Sequence, residues 1–217
     1  MDELLTPGRS VLRNSIILGV FAICTVGVIA FIQQATSERI AIEQQRMQMR
    51  ALHEILPDDQ HDNDLLQDSF SIADQALLQL PAPGTAWRAR QNGAVNAVIL
   101  PVVTLDGYSG RIDLLVGIRA DGEVAGVRII THRETPGLGD KFEVAKGTWI
   151  FSFDGKSLSM PAPVGWAVRK DGGEFDQFVG APITPRAVVR AVHDALRYFE
   201  QHRDELLQLN EQEPDHG

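Results

Sequence analysis

The chain predicts an α+β protein in which a single N-terminal transmembrane helix precedes a domain whose mainly antiparallel sheet is covered by helices. Three observations predict it. Residues 14–37 carry no charge and are nearly all apolar from Ile16 to Ile32. Beyond Pro81-Ala82-Pro83-Gly84 the pattern changes to short Val- and Ile-rich runs separated by Asn92-Gly93, Asp106-Gly107 and Asp121-Gly122, the signature of strands joined by hairpin turns. From Thr184 to Leu209, apolar residues return at helical spacing, with Val188, Val189, Val192, Leu196, Phe199 and Leu206 on one side.

The first element is the anchor. With Asn14, Ser15, Gln33 and Gln34 added, the apolar run makes a helix of about 30 Å at about 1.5 Å per residue, enough to span the hydrocarbon core. A cleaved signal peptide has an apolar region of about 7–15 residues followed by a small-x-small site. This run is longer, and Phe31-Ile32-Gln33-Gln34 supplies no such site. Arg9 and Arg13 precede the helix, and Arg39, Arg46 and Arg50 follow it, so positive charge alone leaves orientation open. Arg13 is nearest the membrane, and a short N-terminal tail commonly stays inside. The expectation is therefore an inner-membrane, single-pass protein with its domain on the outer, periplasmic face of a Gram-negative cell.

Composition narrows the class. The 217 residues suffice for one domain plus an extra segment. A net charge of −9 argues against a nucleic-acid partner. One cysteine, Cys24, excludes an intrachain disulfide, a cysteine-clustered metal site and a haem attachment of the C-x-x-C-H type. The expected layout is a tail at 1–13, an anchor at 14–34, a membrane-proximal helical segment at 35–80, the domain proper at 81–209 and a flexible tail at 210–217.

Within the membrane-proximal segment, Ile40, Ile42, Met47, Met49, Leu52, Ile55 and Leu56 recur at roughly helical spacing up to Pro57. The acidic run Asp58–Asp64 lacks the central Gly and distal Glu of an EF-hand and reads as solvated surface. Leu65–Leu80 mixes apolar and acidic residues and reads as partly helical. Strands are expected at Trp87–Arg90, Ala94–Thr104, Ile112–Arg119, Val124–Ile130 and Trp166–Arg169.

Two segments carry the chemistry. Asp176-Gln177-Phe178-Val179-Gly180-Ala181-Pro182-Ile183-Thr184-Pro185 reads as a turn feeding a helix, with Thr184 at the N-cap and Pro185 at the first helical position. Such a start gathers unpaired N–H groups and the positive end of the helix dipole, a natural seat for a phosphate. Taken alone, it also reads as an ordinary capped helix. The second segment, Thr131-His132-Arg133-Glu134-Thr135-Pro136-Gly137-Leu138-Gly139-Asp140, packs two glycines and a proline into four residues, a tight loop set between a strand and a following helix. It lacks the third glycine and the distal acid of a dinucleotide fingerprint. No hydrolase, zinc or P-loop motif is present. His53, His61, His193, His202 and His216 are scattered along the chain, and no metal site is expected.

The first segment resembles the flavinylation motif of FMN-binding domains, Asp-x-x-[Ser/Thr]-Gly-Ala-[Ser/Thr]-x-Thr. Asp176, Gly180, Ala181 and Thr184 fit it, while Val179 and Pro182 stand where the family usually has hydroxyl residues. The second segment, together with Lys170-Asp171-Gly172-Gly173-Glu174-Phe175-Asp176, resembles the G subunit of Rnf (Rsx) ion-translocating electron transport complexes. The C subunit of the sodium-pumping NADH:quinone reductase is related. The resemblance covers residues 10–209.

It implies an FMN-binding domain whose FMN is bound covalently, by a phosphoester to Thr184. Gly180 and Ala181 would lie close to it, Glu134, Thr135, Gly137 and Leu138 would line the ring, and Lys170 and Arg186 are candidate phosphate partners. Trp166 and His132 are candidates for contact with the ring or for ordinary roles in core and loop. The protein would be an electron carrier with no catalytic residues or independent activity of its own. It would work among the other subunits of a ferredoxin/NAD-linked ion pump, after maturation by a flavin transferase that uses FAD and magnesium. Two other readings stay open: a flavin-free regulator or assembly factor with the same fold, and a periplasmic domain that binds some other ligand.

Overall fold

The computed structural model describes residues 7–208, with side chains at 11–36 and 49–208. The chain divides into two units, residues 1–47 and 48–217. Helix α1 (Pro7–Ile55) supplies the described part of the first unit and, with its last residues, the opening of the second. Val11–Thr36 is long and apolar enough to cross a membrane, with mean hydropathy 2.7. Two of its hydroxyls turn inward to the helix backbone: Thr25 and Thr36 donate to the carbonyls of Phe21 and Ile32 at 2.8 and 2.7 Å. That satisfies polar atoms hydrocarbon would not.

In the second unit five strands form one antiparallel sheet in the order β1-β2-β3-β4-β5. They are β1 (Ser69–Ile72), β2 (Gly84–Gln91), β3 (Ala94–Gly107), β4 (Gly110–Arg119) and β5 (Val124–Thr131). Two-residue periodicity sorts side chains to two faces, and both faces are covered. Val98, Leu100, Val102, Leu114 and Val116 pack with Val188, Val192 and Leu196 of α2 (Ile183–Gln201). Ala97, Ile99, Leu115 and Trp87 pack with Leu52, Ile55 and Leu56 at the end of α1. Each fully buried aliphatic side chain of this kind contributes roughly 1.5–3 kcal/mol.

A glycine pair seats α1. Gly117 and Gly126 stand opposite each other in the β4–β5 ladder. A Cβ at Gly117 would lie 2.2 Å from Ile55 Cγ2, and one at Gly126 would lie 3.3 Å from Ile55 Cα. Arg128 of β5 then fixes the helix end, donating to the Glu54 carbonyl at 2.9 Å and to its carboxylate at 2.8 Å. A free C-terminal carbonyl and a helix-end charge are answered by one side chain.

The structure corrects several expectations. Leu65–Leu80 is not helical: Ser69-Phe70-Ser71-Ile72 alternates polar and apolar and adds β1 to β2. The acids around it make turns, Asp64 accepting from the Leu66 N–H and Asp74 from those of Leu77 and Leu78. Trp166–Arg169 is no strand. It lies between 3-10 turns at Pro163–Gly165 and Arg169–Asp171, with only a single bridge from Val168 to Phe175. The β3–β4 turn falls at Tyr108-Ser109, because β3 runs through Asp106-Gly107. The closing helix breaks at His202, where φ is −120°, and a short α3 (Arg203–Leu206) follows. Leu209, the expected flexible tail at 210–217 and residues 1–6 lie outside the described residues.

The seat of α1 makes a testable demand. Gly117→Ala drives a methyl into Ile55, which is itself buried, and overpacking of this kind costs roughly 1–3 kcal/mol. Thermal melting of the detergent-solubilised protein should show a clearly lowered midpoint. An unchanged midpoint would mean that Ile55 does not lie against this strand.

Candidate functional site

The two motif segments meet. Thr184 Oγ1 donates a hydrogen bond to Glu134 Oε2 across fifty residues of sequence. Both side chains are buried, Glu134 at 4% and Thr184 at 0% exposure. The other carboxylate oxygen of Glu134 accepts the Ser109 N–H at 2.9 Å. One carboxylate therefore joins the β3–β4 turn, the loop after β5 and the start of α2. Gly139 leaves room for it: a Cβ there would sit 3.0 Å from Glu134 Oε2 and 3.4 Å from Thr184 Oγ1.

Helix α2 begins two residues earlier than its sequence suggests. Pro182 is the N-cap, Ile183 the first helical residue and Thr184 the second, so Thr184 is not the cap. The reason is local. Pro182 holds φ −76° and ψ −17°, already helical, and Pro185 fits the first turn because its missing N–H would be unpaired there. No side chain caps this start. Pro182 and Pro185 have no N–H to offer, so the open amides of the first turn are those of Ile183 and Thr184. Gly180, with φ +85°, is the left-handed residue of the Phe178–Ala181 turn that delivers the chain to the helix.

The loop after β5 is braced from behind. Asp140 accepts the Gly137 N–H at 2.9 Å and the Lys146 ammonium at 2.6 Å. Lys146 also reaches Glu143 at 2.8 Å. The Lys146 ammonium, aided by the Gly137 N–H, holds the Asp140 carboxyl below the usual carboxylate range against the opposing effect of burial. Burial pushes Glu143 up, but Lys146 and His132 outweigh it and hold it low. Hydrogen bonds from Asp140 and Glu143, in return, raise Lys146. His132 accepts the Glu134 N–H at Nδ1 and lies 2.8 Å from Glu143 through Nε2, which makes it a loop brace. Its ring meets Phe142 edge-on at 4.8 Å. The expected helix after this loop is absent; the next regular turn is 3-10, at Trp149–Phe153.

The remaining candidates divide. Leu138 is exposed and lies beside Gly180, where an added Cβ would be 3.4 Å from its Cδ2. With Val179 and Ile183, also exposed, it makes an apolar patch around the turn. Thr135 and Gly137 are exposed on the loop, and Thr135 O accepts the N–H groups of Leu138 and Gly139. Ala181 is buried in the core and is not part of the exposed surface.

Lys170 is exposed on the 3-10 turn. Arg186 is engaged by Asp171 through two hydrogen bonds, at 2.5 and 2.8 Å, which depress the Asp171 carboxyl and raise the guanidinium. Trp166 belongs to the aromatic core, its ring centre 5.3 Å from that of Phe175. A cleft of about 400 Å³ lies alongside, lined by Trp166, Val168, Asp171, Ile183, Arg186 and Arg190 among others. It borders the helix start through Ile183 and Arg186 but is lined by neither Thr184 nor Glu134.

Asp140 and Lys146 drew no role from the sequence; the signal was an acid closing a glycine loop with a lysine six residues on. His53 and His61, expected to be too scattered for a metal site, stand together with Asp58. His193 and His202 are elsewhere, and His216 lies outside the described residues.

Comparisons with known proteins identify the domain. Residues 107–197 match the FMN-binding domain family. That match makes this an FMN-binding domain. Residues 1–55 match the RnfG N-terminal region. The chain is 54% identical over 199 residues to the G subunit of the ion-translocating oxidoreductase complex of Pseudomonas aeruginosa strain UCBPP-PA14, covering 92% of this chain and 93% of that protein. Identity is 45% to the protein of the same name in Shewanella loihica, over 92% of this chain and 94% of the relative. It is 40% to that of Vibrio vulnificus, with the same two coverages of 92% and 94%. The chain belongs to the family of G subunits of ion-translocating oxidoreductase complexes.

The charge clamp on the loop has a pH signature. A carboxyl depressed in the folded state adds stability that is complete above its unfolded pKa and is lost as pH falls through the folded value. The loop should therefore hold down to below the ordinary Asp range of about 3.9. Lys146→Met returns Asp140 toward that range, so limited proteolysis of the 132–146 segment should begin at a higher pH. An unmoved acid transition would remove Lys146 from the clamp.

Proposed function

We propose that the protein is the membrane-anchored flavin carrier of an ion-translocating electron transport complex. In this reading its FMN is attached through a phosphoester to Thr184. The observation that carries the reading is the contact between Thr184 and Glu134. Two segments that resemble flavin motifs, far apart in sequence, meet at an uncapped helix start. Thr184 is the only hydroxyl residue between Gln177 and Val189.

The residues fit the group. The open amides of Ile183 and Thr184, with the positive helix end, suit a phosphodiester, a preference worth roughly 0.3–1 kcal/mol. Leu138, Val179 and Ile183 offer an apolar surface to a flat ring, and Gly137 and Gly180 let it near the main chain. Of the two candidate phosphate partners, Lys170 is favoured, since Arg186 is committed to Asp171. When bound, FMN supplies one- and two-electron chemistry; the protein fixes its position and surroundings.

Glu134 Oε2 already accepts the Thr184 hydroxyl, so it would take the proton as Oγ1 bonds to the FMN phosphorus of FAD and the pyrophosphate bond breaks to release AMP. Because Thr184 is buried beneath Gly139, the 137–140 loop must lift to admit the flavin transferase. The same reading sets residues 1–13 inside and 14–34 across the inner membrane. Residues 35–80 follow as the membrane-proximal segment, and residues 81–209 lie in the periplasm, in contact with other subunits of a ferredoxin/NAD-linked pump.

Intact mass after co-expression with a flavin transferase tests the attachment. The wild type should be heavier by one FMN, Thr184→Ala should carry none, and Thr184→Ser should retain part. Glu134→Gln, whose carbonyl still accepts hydrogen bonds, should slow incorporation and leave the melting midpoint near wild type. Replacing Val179 and Pro182 by Thr should raise an incomplete flavin fraction. A wild type free of flavin beside its own transferase would instead make the protein a regulator or assembly factor. A periplasmic reporter fused after Gly217 should be active, and activity of a cytoplasmic reporter instead would reverse the orientation.

A further inference from the structure

Away from the flavin site, the turn that follows α1 gathers three side chains able to ligate a metal. One ligand atom each from His53, Asp58 and His61 lies within 4.8 Å of the others. His53 Nδ1 is 2.8 Å from Asp58 Oδ1, and His61 Nε2 is 3.9 Å from the same oxygen. Pro57 ends the helix, and the 3-10 turn Asp58–Gln60 swings His61 back toward His53.

His61 supplies the independent observation. Its side chain is only 7% exposed. Its Nδ1 lies 2.9 Å from the Asn63 carbonyl, and its Nε2 is buried without a hydrogen-bond partner. A carbonyl only accepts, so Nδ1 turns an N–H to it, and Nε2, facing Asp58, is the ring nitrogen left open to a ligand. A ring nitrogen held by a backbone carbonyl, with the other nitrogen free, is how metal-binding histidines are oriented.

The support behind His61 is firm. Asn63 donates to the Arg88 carbonyl at 3.0 Å and accepts the Arg90 N–H at 2.8 Å. Asn96 donates to the Gln60 carbonyl at 2.7 Å. The loop is thereby fastened to β2 and β3, while His53 and Asp58 are exposed and free to adjust. Neighbouring ligand atoms of a tetrahedral zinc site are about 3.3–3.5 Å apart, given bonds of about 2.0–2.2 Å. The observed 2.8 and 3.9 Å bracket that spacing. Asp62 and Asp64 line the same cleft and add negative charge.

We propose that His53, Asp58 and His61 form a binding site for a divalent transition-metal ion of the zinc type. Two imidazoles and one carboxylate suit such an ion, with a fourth position left to water. Mg²⁺ and Ca²⁺ demand oxygen ligands. Bound there, the ion ties the last turn of α1 to the loop riveted on the sheet. The site is independent of the flavin reading.

The test is isothermal titration of the untagged, EDTA-stripped full chain in detergent with Zn²⁺, and with Co²⁺ as a spectroscopic probe. The expected result is one Zn²⁺ per chain, a raised melting midpoint and the visible absorption of tetrahedral Co²⁺. His53→Ala and Asp58→Ala, both at exposed positions, should each weaken binding at least about tenfold. His61→Ala should do the same if it folds. Absence of Zn²⁺ binding by the wild type would overturn the proposal. So would undiminished affinity in the His53 and Asp58 variants, which would assign the ion to other histidines. Equally tight Mg²⁺ binding would overturn the assignment to a transition metal.

Discussion

The buried hydrogen bond from Thr184 to Glu134 is the constraint on which the site depends. A buried carboxylate is tolerable only when its oxygens are answered, and this one is answered by a hydroxyl and a backbone N–H from two other segments. Glu134 therefore fixes the start of α2 against the loop after β5, and the turn Tyr108-Ser109 against both. The glycines nearby serve this convergence, since Gly139 admits the carboxylate and Gly180 makes the turn into the helix. The surface left around it is apolar, with a helix end that no side chain caps, a combination that suits a flat ring joined to a phosphate.

Beneath the site the sheet supplies rigidity because both of its faces are covered. α2 lies on one face and is fixed where the site begins, so burial of Val188, Val192 and Leu196 also positions Thr184. The end of α1 lies on the other face, in the space left by Gly117 and Gly126. Arg128 closes that contact by answering the Glu54 carbonyl and carboxylate together. The segment between β5 and α2 has little regular structure and is held by aromatic packing instead. The rings of Phe153 and Phe175 are 4.7 Å apart, and those of Trp149 and Phe178 are 4.9 Å apart.

Periodicity and turn residues made β2 to β5 legible, because apolar alternation and the Asn92-Gly93 and Asp121-Gly122 turns are local signals. β1 was not, since four residues in an acidic, mixed stretch become a strand only by pairing with β2. Trp166–Arg169 looks extended in sequence, yet flanking 3-10 turns leave it a single bridge. At the site, a turn feeding a helix start was visible from Gly180 to Pro185, though the cap fell at Pro182. The partnership of Glu134 with Thr184 is a tertiary contact that no local pattern encodes; only the resemblance to a family of flavoproteins points to both residues together. Asp140 with Lys146 left only the trace of an acid closing a glycine loop ahead of a lysine, and His53 with His61 left none, because ion pairs and ligand clusters across turns have no period.

The most direct test of Thr184 as the flavin's anchor is tandem mass spectrometry of trypsin-digested, transferase-matured protein. Cleavage after Lys170 and Arg186 releases Asp171–Arg186, in which Thr184 is the only hydroxyl residue. The expected result is one FMN on this peptide and on no other. Flavin on a different peptide, or flavin released entirely on denaturation, would contradict it.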